Sequence, residues 1–274
     1  MPELSLDREL NLARQLALAA GEVALRYFGQ PLPVERKEGG EPVTRADREA
    51  NEVIVGELAR EFPGDGILAE ETPDDGSRRS RARVWMVDPI DGTRDFIRGR
   101  DGFAVMIGLC AQGAPVLGVV YQPVGARLYT AVRGRGAWLA VGEGRPARIQ
   151  VSPVREPAQI RLVASKSHRE PVIDAVRARL GIQDELNVGS VGLKLGLIAR
   201  GDRDLYVNPS SKSSAWDTCA PEAILDEAGG RLSDLRGQPL RYDAEDIRHL
   251  AGLVASNGLL HEQVLEKIRS LFPG

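Results

Sequence analysis

The chain has 274 residues, and its 36 Lys and Arg against 39 Asp and Glu give a formal net charge of −3. This balance excludes a strongly basic protein that binds nucleic acid by bulk electrostatics. Because 42% of the residues are apolar, the chain is not disordered, and its length suffices for one large domain or two packed ones. The two cysteines, Cys110 and Cys219, show no metal-binding or redox spacing. We therefore expect a cytoplasmic protein without a disulfide framework.

The N-terminal part of the chain predicts two helices followed by short strands. Apolar residues at three- and four-residue spacing indicate an amphipathic helix over residues 6–28. Thr44 stands three residues before Asp47, which is typical of a helix N-terminus and predicts a second helix. Short buried strands are predicted at 67–69 and 84–87, and each leads directly into acidic residues.

The uncharged stretch over residues 102–126 has the composition of a membrane segment but not its pattern. Gln112, Gly113 and Pro115 divide it near the middle, and Val and Ile dominate both halves. Two buried strands joined by a turn explain it better than a membrane helix. Over residues 103–139 we predict four strands with Gly and Pro turns.

The second half of the sequence has a different pattern. After Pro157, strand-like and helix-like segments alternate, which is typical of an α/β unit. We predict strands at 160–164, 204–207 and 250–255, and helices at 171–180, 191–200 and 215–228. The sequence thus divides into an α+β half over residues 1–150 and an α/β half over residues 151–274.

The segment with the clearest chemical signal is 88–93, with the sequence DPIDGT, at a predicted strand-to-helix turn. Asp88 ends the strand, Pro89 is expected to stop further pairing, and a helix is expected to begin near Asp91. Carboxylates three positions apart repel each other unless a cation compensates them, and oxygen ligands favour Mg²⁺ or Mn²⁺. The free amides at the helix start would bind an anion. The alternative is a helix with Asp91 as an ordinary cap.

Two further acidic sites, at Glu70 and at Asp217, are by themselves more typical of exposed acids or helix caps. Together with DPIDGT, however, their order and spacing resemble the inositol monophosphatase superfamily over about residues 10–270. The matching motifs are EE at 70–71, DPIDGT at 88–93, WD at 216–217, EAGG at 227–230, PVTRAD at 42–47 and GVVYQP at 118–123.

The resemblance implies a layered α-β-α-β-α sandwich with a phosphatase site that binds two or three Mg²⁺, with Mn²⁺ as a substitute. By position, it assigns the first ion to Glu70, Asp88 and the carbonyl of Ile90. It assigns the second ion to Asp88, Asp91 and Asp217. A third, weaker ion would lie near Glu70, and Li⁺ would inhibit at the second position.

The resemblance also implies a mechanism in which water is the nucleophile. Asp47 and Thr93 would position and deprotonate this water, and the amides of Gly92 and Thr93 would hold the phosphoryl oxygens. Because every one of these positions carries the residue type that the family needs, we expect an active phosphoric monoester hydrolase.

Substrate choice is predicted from segments similar to the bisphosphate nucleotidase branch. These are WDTCAPEAIL at 216–225, DGTRDF at 91–96, SKSH at 165–168 and GSVGLK at 189–194. By position, His168 and Lys194 would face the nucleotide, and Ser190 would contact a phosphate. A second phosphate needs a cation, which Lys194 or Lys212 could supply. Ser210 stands where inositol-specific members carry Glu, which counts against inositol.

We therefore predict a 3′(2′),5′-bisphosphate nucleotidase that hydrolyses adenosine 3′,5′-bisphosphate to AMP. The alternatives are inositol-1-monophosphatase, fructose-1,6-bisphosphatase or, in another class, a non-catalytic sensor of a phosphate ligand. We expect a small phosphorylated substrate, no nucleic-acid partner, no transmembrane segment and, by resemblance, a homodimer. For the basic run of residues 78–83, a solvated loop, a flap beside the phosphate site and a nucleic-acid contact remain open.

Overall fold

The computed structural model describes residues 5–37, 40–167 and 169–272. The helices are α1 (Asp7–Tyr27), α2 (Arg45–Glu61), α3 (Thr93–Ile97), α4 (Val172–Leu180), α5 (Val191–Ala199), α6 (Ala215–Glu227) and α7 (His261–Ile268). The strands are β1 (Glu35–Arg36), β2 (Pro42–Val43), β3 (Gly66–Ala69), β4 (Arg83–Asp91), β5 (Ala104–Ala111), β6 (Ala114–Gln122), β7 (Arg127–Val132), β8 (Ala137–Val141), β9 (Ala147–Ile149), β10 (Arg161–Ser165), β11 (Asp184–Val188), β12 (Leu205–Asn208), β13 (Arg231–Ser233) and β14 (Leu253–Ser256).

The strands form two large sheets and one short hairpin. The larger sheet has the order β3-β4-β5-β6-β7-β8-β9, and it is antiparallel except for the parallel β3–β4 pair. The smaller sheet has the order β11-β10-β12-β14-β13, in which β10 runs parallel to both of its neighbours. Strands β1 and β2 pair with each other as an antiparallel hairpin.

The helices fill three layers around these sheets. On the outer face of the larger sheet, Ala17 of α1 and Ile54 of α2 share one apolar cluster with Trp85 and Val119. The cluster between the sheets contains residues of α5 and α6, and the cluster on the far face contains residues of α4 and α7. The α-β-α-β-α sandwich predicted from the sequence is therefore confirmed.

Helix α6 lies close to the larger sheet because two central strands carry glycine where it passes. A Cβ on Gly118 would lie 2.1 Å from the carbonyl oxygen of Ala220, and one on Gly108 would lie 2.7 Å from the amide nitrogen of Ala220. Contacts this short would force the backbone apart, so both positions need glycine. This packing fixes the depth at which α6 presents its first turn to the cleft between the sheets.

Several sequence predictions are confirmed and others are wrong. The stretch over 102–126 forms β5 and β6 as expected, and none of the helices within the described ranges is both long enough and apolar enough to cross a membrane. Strand β11 and helix α7 were missed, and the last strand begins at Leu253 rather than at Leu250. The chain changes sheets between β9 and β10, but α5 and α6 share one core with both sheets. The division at residue 150 therefore stays a prediction.

Pro89 does not end β4, so that expectation is wrong. The pairing of β4 with β5 shifts register between Asp88 and Asp91, and it resumes where Asp91 faces Ala104. Such a bulge places proline where the ladder needs no N–H donor. Asp88 and Asp91 are consequently both part of the strand, on either side of its irregularity.

The two arginines at the ends of the basic run of residues 78–83 are held by contacts within the protein. The Arg78 side chain is only 2% exposed, and it donates to the carboxylate of Asp74 and to the carbonyl oxygens of residues 244–245. Arg83 forms an ion pair with Asp65 at 2.7 Å. Residues 79–82 between these two arginines are exposed, which agrees with a solvated loop. The flap and the nucleic-acid contact stay predictions.

Candidate active site

Three carboxylates meet in the cleft between the two sheets. Ligand atoms of Asp88, Asp91 and Asp217 all lie within 4.8 Å of one another, although Asp217 comes from the other half of the chain. Burial is the main cause that raises the pKa of all three carboxyl groups. The pKa values of Asp88 and Asp217 lie well above the ordinary value. The neighbouring carboxylates raise the pKa of Asp88 and Asp217 further. Buried acids that repel one another in this way need a cation or a proton.

Glu70 extends this cluster at the end of β3. It shares a hydrogen bond with Asp88, and burial raises its pKa, while the ammonium group of Lys37 opposes that rise. Lys37 Nζ lies 2.8 Å from Glu70 Oε1 and 2.5 Å from Glu71 Oε1. Lys37 was not predicted as a site residue, because its segment carries only the signal of a polar turn.

Asp47 and Thr93 also meet, as the sequence predicted. Asp47 Oδ2 accepts hydrogen bonds from the amide and the hydroxyl of Thr44, at 2.8 and 2.6 Å. Its other oxygen, Oδ1, lies 3.3 Å from the Thr93 hydroxyl, which is also 3.1 Å from the carbonyl oxygen of Ile90. Burial is the main cause that raises the pKa of Asp47 to about 6. The carboxyl is therefore mostly ionised at neutral pH.

Asp217 is held at the start of α6 by a similar arrangement. The amide of Ser214 donates to Asp217 Oδ2 at 2.6 Å. The next amide, that of Ala215, donates to the carbonyl oxygen of Ile247, which ties the helix start to the chain segment that follows β13. A serine three residues before an aspartate is the sequence signal for this cap, but the cap was not predicted from it.

Ser190 is buried, and its hydroxyl makes hydrogen bonds within the protein; its predicted contact with a phosphate stays a prediction. Its hydroxyl donates to Asp91 Oδ2 at 2.6 Å and accepts from the amide of Leu193 at 3.0 Å. The amide of Gly192 donates to the same Asp91 oxygen at 2.9 Å. Ser190 therefore caps α5 and orients Asp91 across the interface between the halves.

Gly92 requires glycine for two reasons. Its φ is +95°, in the left-handed region, and a Cβ would lie 2.6 Å from the carbonyl oxygen of Gly102. This conformation lets the chain turn from β4 into α3 immediately after Asp91. The short turn delivers Thr93 to the cleft beside Asp47.

Lys194 lines the cleft, and its side chain is almost fully buried. Its ammonium group donates to the carbonyl oxygen of Gly189 at 2.6 Å and lies 5.1 Å from the centre of the Tyr206 ring. Burial lowers its pKa to about 8, against the opposing effect of the Asp91 and Asp217 carboxylates.

Three other residues singled out for the substrate have separate outcomes. Ser210 and Lys212 line the same cleft as Lys194. His168 lies outside the described residues, so its predicted contact with the substrate stays a prediction.

Comparison with known proteins agrees with this site. A sequence profile of the inositol monophosphatase family matches residues 5–271. The chain belongs to the inositol monophosphatase family. It is therefore a metal-dependent phosphomonoesterase, in agreement with the buried acidic cluster, whose oxygen donors suit a hard divalent cation.

Individual members of the inositol monophosphatase family resemble this chain along most of its length. It is 37% identical over 269 residues to a histidinol-phosphatase of Mycobacterium tuberculosis, which covers 96% of this chain and 98% of that protein. It is 38% identical over 231 residues to a 3′(2′),5′-bisphosphate nucleotidase of Salmonella typhimurium, which covers 83% and 91%. The solved structure of an IMPase from Thermotoga maritima matches with a TM-score of 0.82 at 27% identity, covering 96% of this chain and 98% of that one. These relatives differ in substrate, so family membership leaves the substrate of this enzyme open.

Proposed function

We propose that this enzyme is a Mg²⁺-dependent 3′(2′),5′-bisphosphate nucleotidase that hydrolyses adenosine 3′,5′-bisphosphate to AMP and phosphate. The observation that carries this proposal is the buried ammonium group of Lys194 in the cleft wall, at the position that the nucleotidase resemblance predicted. An ammonium group has three N–H donors, and that of Lys194 donates to the carbonyl oxygens of Val188 and Gly189. The 38% identity to a nucleotidase adds support.

The cluster of carboxylates provides suitable ligands for the cations. Glu70, Asp88 and the carbonyl of Ile90 would hold the first Mg²⁺, and Asp88, Asp91 and Asp217 would hold the second. A third ion would lie near Glu70, and Li⁺ would compete at the second position. When bound, these cations would lower the pKa of the attacking water and stabilise the attacking and leaving oxygens. Two buried cysteines that form no disulfide suit the proposed cytoplasmic location.

The proton of the attacking water would leave through Thr93 and Asp47. Because Thr44 occupies Asp47 Oδ2, the oxygen that faces the Thr93 hydroxyl is the free one, Oδ1. The hydroxyl of Thr93 accepts the proton of the water and passes its own to Asp47. A carboxyl with a pKa of about 6 is ionised at neutral pH and can act as this base.

The phosphoryl oxygens would be held by the amides of Gly92 and Thr93. Helix α3 has only five residues, so the stabilisation comes from these directed N–H groups rather than from a long helix dipole. Gly92 and Thr93 both line the cleft.

The test is phosphate release in the presence of Mg²⁺ from adenosine 3′,5′-bisphosphate, inositol-1-phosphate and fructose-1,6-bisphosphate in parallel. We expect kcat/KM for the nucleotide to exceed the others about a hundredfold or more, roughly 2.7 kcal/mol of transition-state discrimination. Comparable rates, or a preference for inositol-1-phosphate, would contradict the substrate assignment and leave the metal cluster in place.

A second candidate substrate is histidinol phosphate. The similarity to a histidinol-phosphatase extends over 96% of this chain, compared with 83% for the nucleotidase. Histidinol phosphate therefore belongs in the same assay, and a preference for it would replace the nucleotidase proposal.

A further inference from the structure

A second, cationic cavity lies beside the active-site cleft. Its lining consists of Val34, Arg36, Pro42, Arg94, Ile97 and Arg98, and its volume is about 230 Å³. We call it the arginine groove. Pro42 and Arg94 also line the active-site cleft, so the groove and the cleft are adjacent.

Three arginines from two parts of the chain line the arginine groove. Arg94 lies in α3, and Arg98 caps the C-terminus of the same helix. Arg36 comes from β1, where its Nη1 donates to the carbonyl oxygen of Gly40. Positive charges that line one small cavity repel one another unless an anion compensates them.

No carboxylate within the described ranges compensates these three arginines. Neighbouring arginines have such partners: Arg48 forms an ion pair with Glu35 at 2.5 Å, and Arg100 with Asp95 at 3.6 Å. Across residues 5–37, 40–167 and 169–272, neither Arg94 nor Arg98 forms an ion pair or a side-chain hydrogen bond. Their positive charge is available to an external anion.

The shape and chemistry of the groove suit a phosphate next to a flat or apolar group. Guanidinium groups bind phosphate through two parallel N–H donors, which ammonium groups cannot reproduce. Val34, Pro42 and Ile97 supply apolar surface in the same cavity. The groove adjoins the cleft that Thr93 lines, so a ligand with two phosphates can occupy both.

We infer that the arginine groove binds a second phosphate of the substrate and so selects bisphosphorylated over monophosphorylated esters. This inference rests on the proposed function, because it takes the scissile phosphate to be bound at Thr93. It assigns the second phosphate to exposed arginines at the rim rather than to the buried Lys194. Lys194 is left to act deeper in the cleft.

The test compares adenosine 3′,5′-bisphosphate with adenosine 3′-monophosphate, which differ only in the distal phosphate. The measured quantity is the ratio of their kcat/KM values in the wild type, Arg98→Ala, Arg36→Ala and Arg98→Lys. Arg145→Ala is the matched control, because it removes an exposed arginine from the distant turn between β8 and β9. Melting temperatures verify that each variant is folded.

We expect the wild-type ratio to exceed ten and to fall at least tenfold in Arg98→Ala, mainly through KM of the bisphosphate. Arg98→Lys should give an intermediate ratio, Arg145→Ala should keep the wild-type ratio, and added salt should lower the ratio because exposed charges are screened. If Arg98→Ala and Arg36→Ala both keep the wild-type preference for the bisphosphate, the arginine groove does not bind the second phosphate. The nucleotidase proposal would not be affected by this result.

Failure of the proposed function gives a different result. If neither nucleotide is hydrolysed, the same ratio is measured with fructose-1,6-bisphosphate and fructose-1-phosphate. A ratio that depends on Arg98 with these sugars would support the groove without the nucleotidase proposal. A ratio near one in the wild type would contradict the groove for either class of substrate.

Discussion

The starts of α2 and α6 have the same local structure, but their aspartates face different surroundings. In each, a hydroxyl residue precedes an aspartate by three positions, and the aspartate accepts a hydrogen bond from the amide at the cap. The distances are 2.8 Å from the Thr44 amide to Asp47 and 2.6 Å from the Ser214 amide to Asp217. The sequence motif fixes the backbone and one carboxylate oxygen in both helices.

The two aspartates differ because different side chains face them across the cleft. Asp47 faces the hydroxyl of Thr93, and its pKa rises only to about 6. Asp217 faces Asp91 and Glu70, and burial together with their charges raises its pKa well above the ordinary value. One aspartate is thereby suited to accept a proton, and the other is suited to bind a cation. A local motif can set geometry, but the neighbouring charges decide the chemistry.

Among the substitutions considered, Asp217→Asn should reduce kcat/KM the most. Asparagine can still accept the hydrogen bond from Ser214, but it removes one of the charges that bind the cation. We expect kcat/KM to fall about a thousandfold or more, in line with the loss of several kcal/mol of charge stabilisation. The metal-free protein should melt at a higher temperature than the wild type, because repulsion within the cluster is relieved.

Asp226→Asn on the same helix is the matched control for Asp217→Asn. Asp226 is exposed and is not part of the cluster. Phosphate release by the control should stay within a few-fold of the wild type. Full activity of Asp217→Asn would instead contradict the metal assignment and favour the non-catalytic sensor.

Asp47→Asn should lower kcat about a hundredfold, the typical contribution of a general base. The Mg²⁺ concentration for half-maximal rate should change little, and this separates the role of Asp47 from that of Asp217. A base must be ionised, so wild-type activity should fall as the pH drops below about 6 and Asp47 becomes protonated.

Thr93→Ser should retain most of the phosphate-release activity, and Thr93→Ala should lose it. A large shift in the Mg²⁺ requirement of Asp47→Asn would make Asp47 a ligand.

Metal removal combined with pH tests the cluster as a whole. The pKa values of Asp88 and Asp217 are raised in the folded protein, so folding favours their protonated forms. Their contribution to stability is present at low pH, and it is lost as the pH rises through the folded pKa values. Mg²⁺ replaces the protons and, at a hundred times its Kd, adds about 2.7 kcal/mol.

We therefore expect millimolar MgCl₂ to raise the melting temperature more at pH 8 than at pH 5, relative to samples with a chelator. Asp217→Asn should reduce this difference, whereas Asp47→Asn should keep most of it. An equal shift at both pH values in the wild type would mean that protons and Mg²⁺ do not compete for these carboxylates.

The smallest effect is expected from the caps themselves. The Thr44 hydroxyl contacts Asp47 directly at 2.6 Å, whereas Ser214 contacts Asp217 through its backbone amide, which alanine retains. Thr44→Ala should cost about 1 kcal/mol of stability and lower kcat several-fold. Ser214→Ala should have a smaller effect on kcat. Urea unfolding and steady-state rates measure both, and a larger kcat loss in Ser214→Ala would reverse the comparison.

Short-range signals in the sequence are sufficient to predict the local structure and the chemistry of the acidic cluster. Apolar spacing predicted α1, and the Thr44–Asp47 pair predicted the start of α2, because both signals act within one or two helical turns. The spacing of DPIDGT and its resemblance to a family predicted that Asp88, Asp91 and Asp217 would lie together. The structure brings these three carboxylates within 4.8 Å of one another.

The contacts between distant residues depend on how the elements pack and could not be predicted from the sequence. Pro89 stays within β4 because β5 tolerates a register shift there, and Ser190 orients Asp91 from 99 residues away. The position of the β1–β2 hairpin brings Lys37 to Glu70 and Arg36 to the groove beside α3. The sequence of this hairpin predicted only a turn. The physical reason is range: caps and periodicity act on residues a few positions apart, whereas these contacts depend on which surfaces the two sheets bring together.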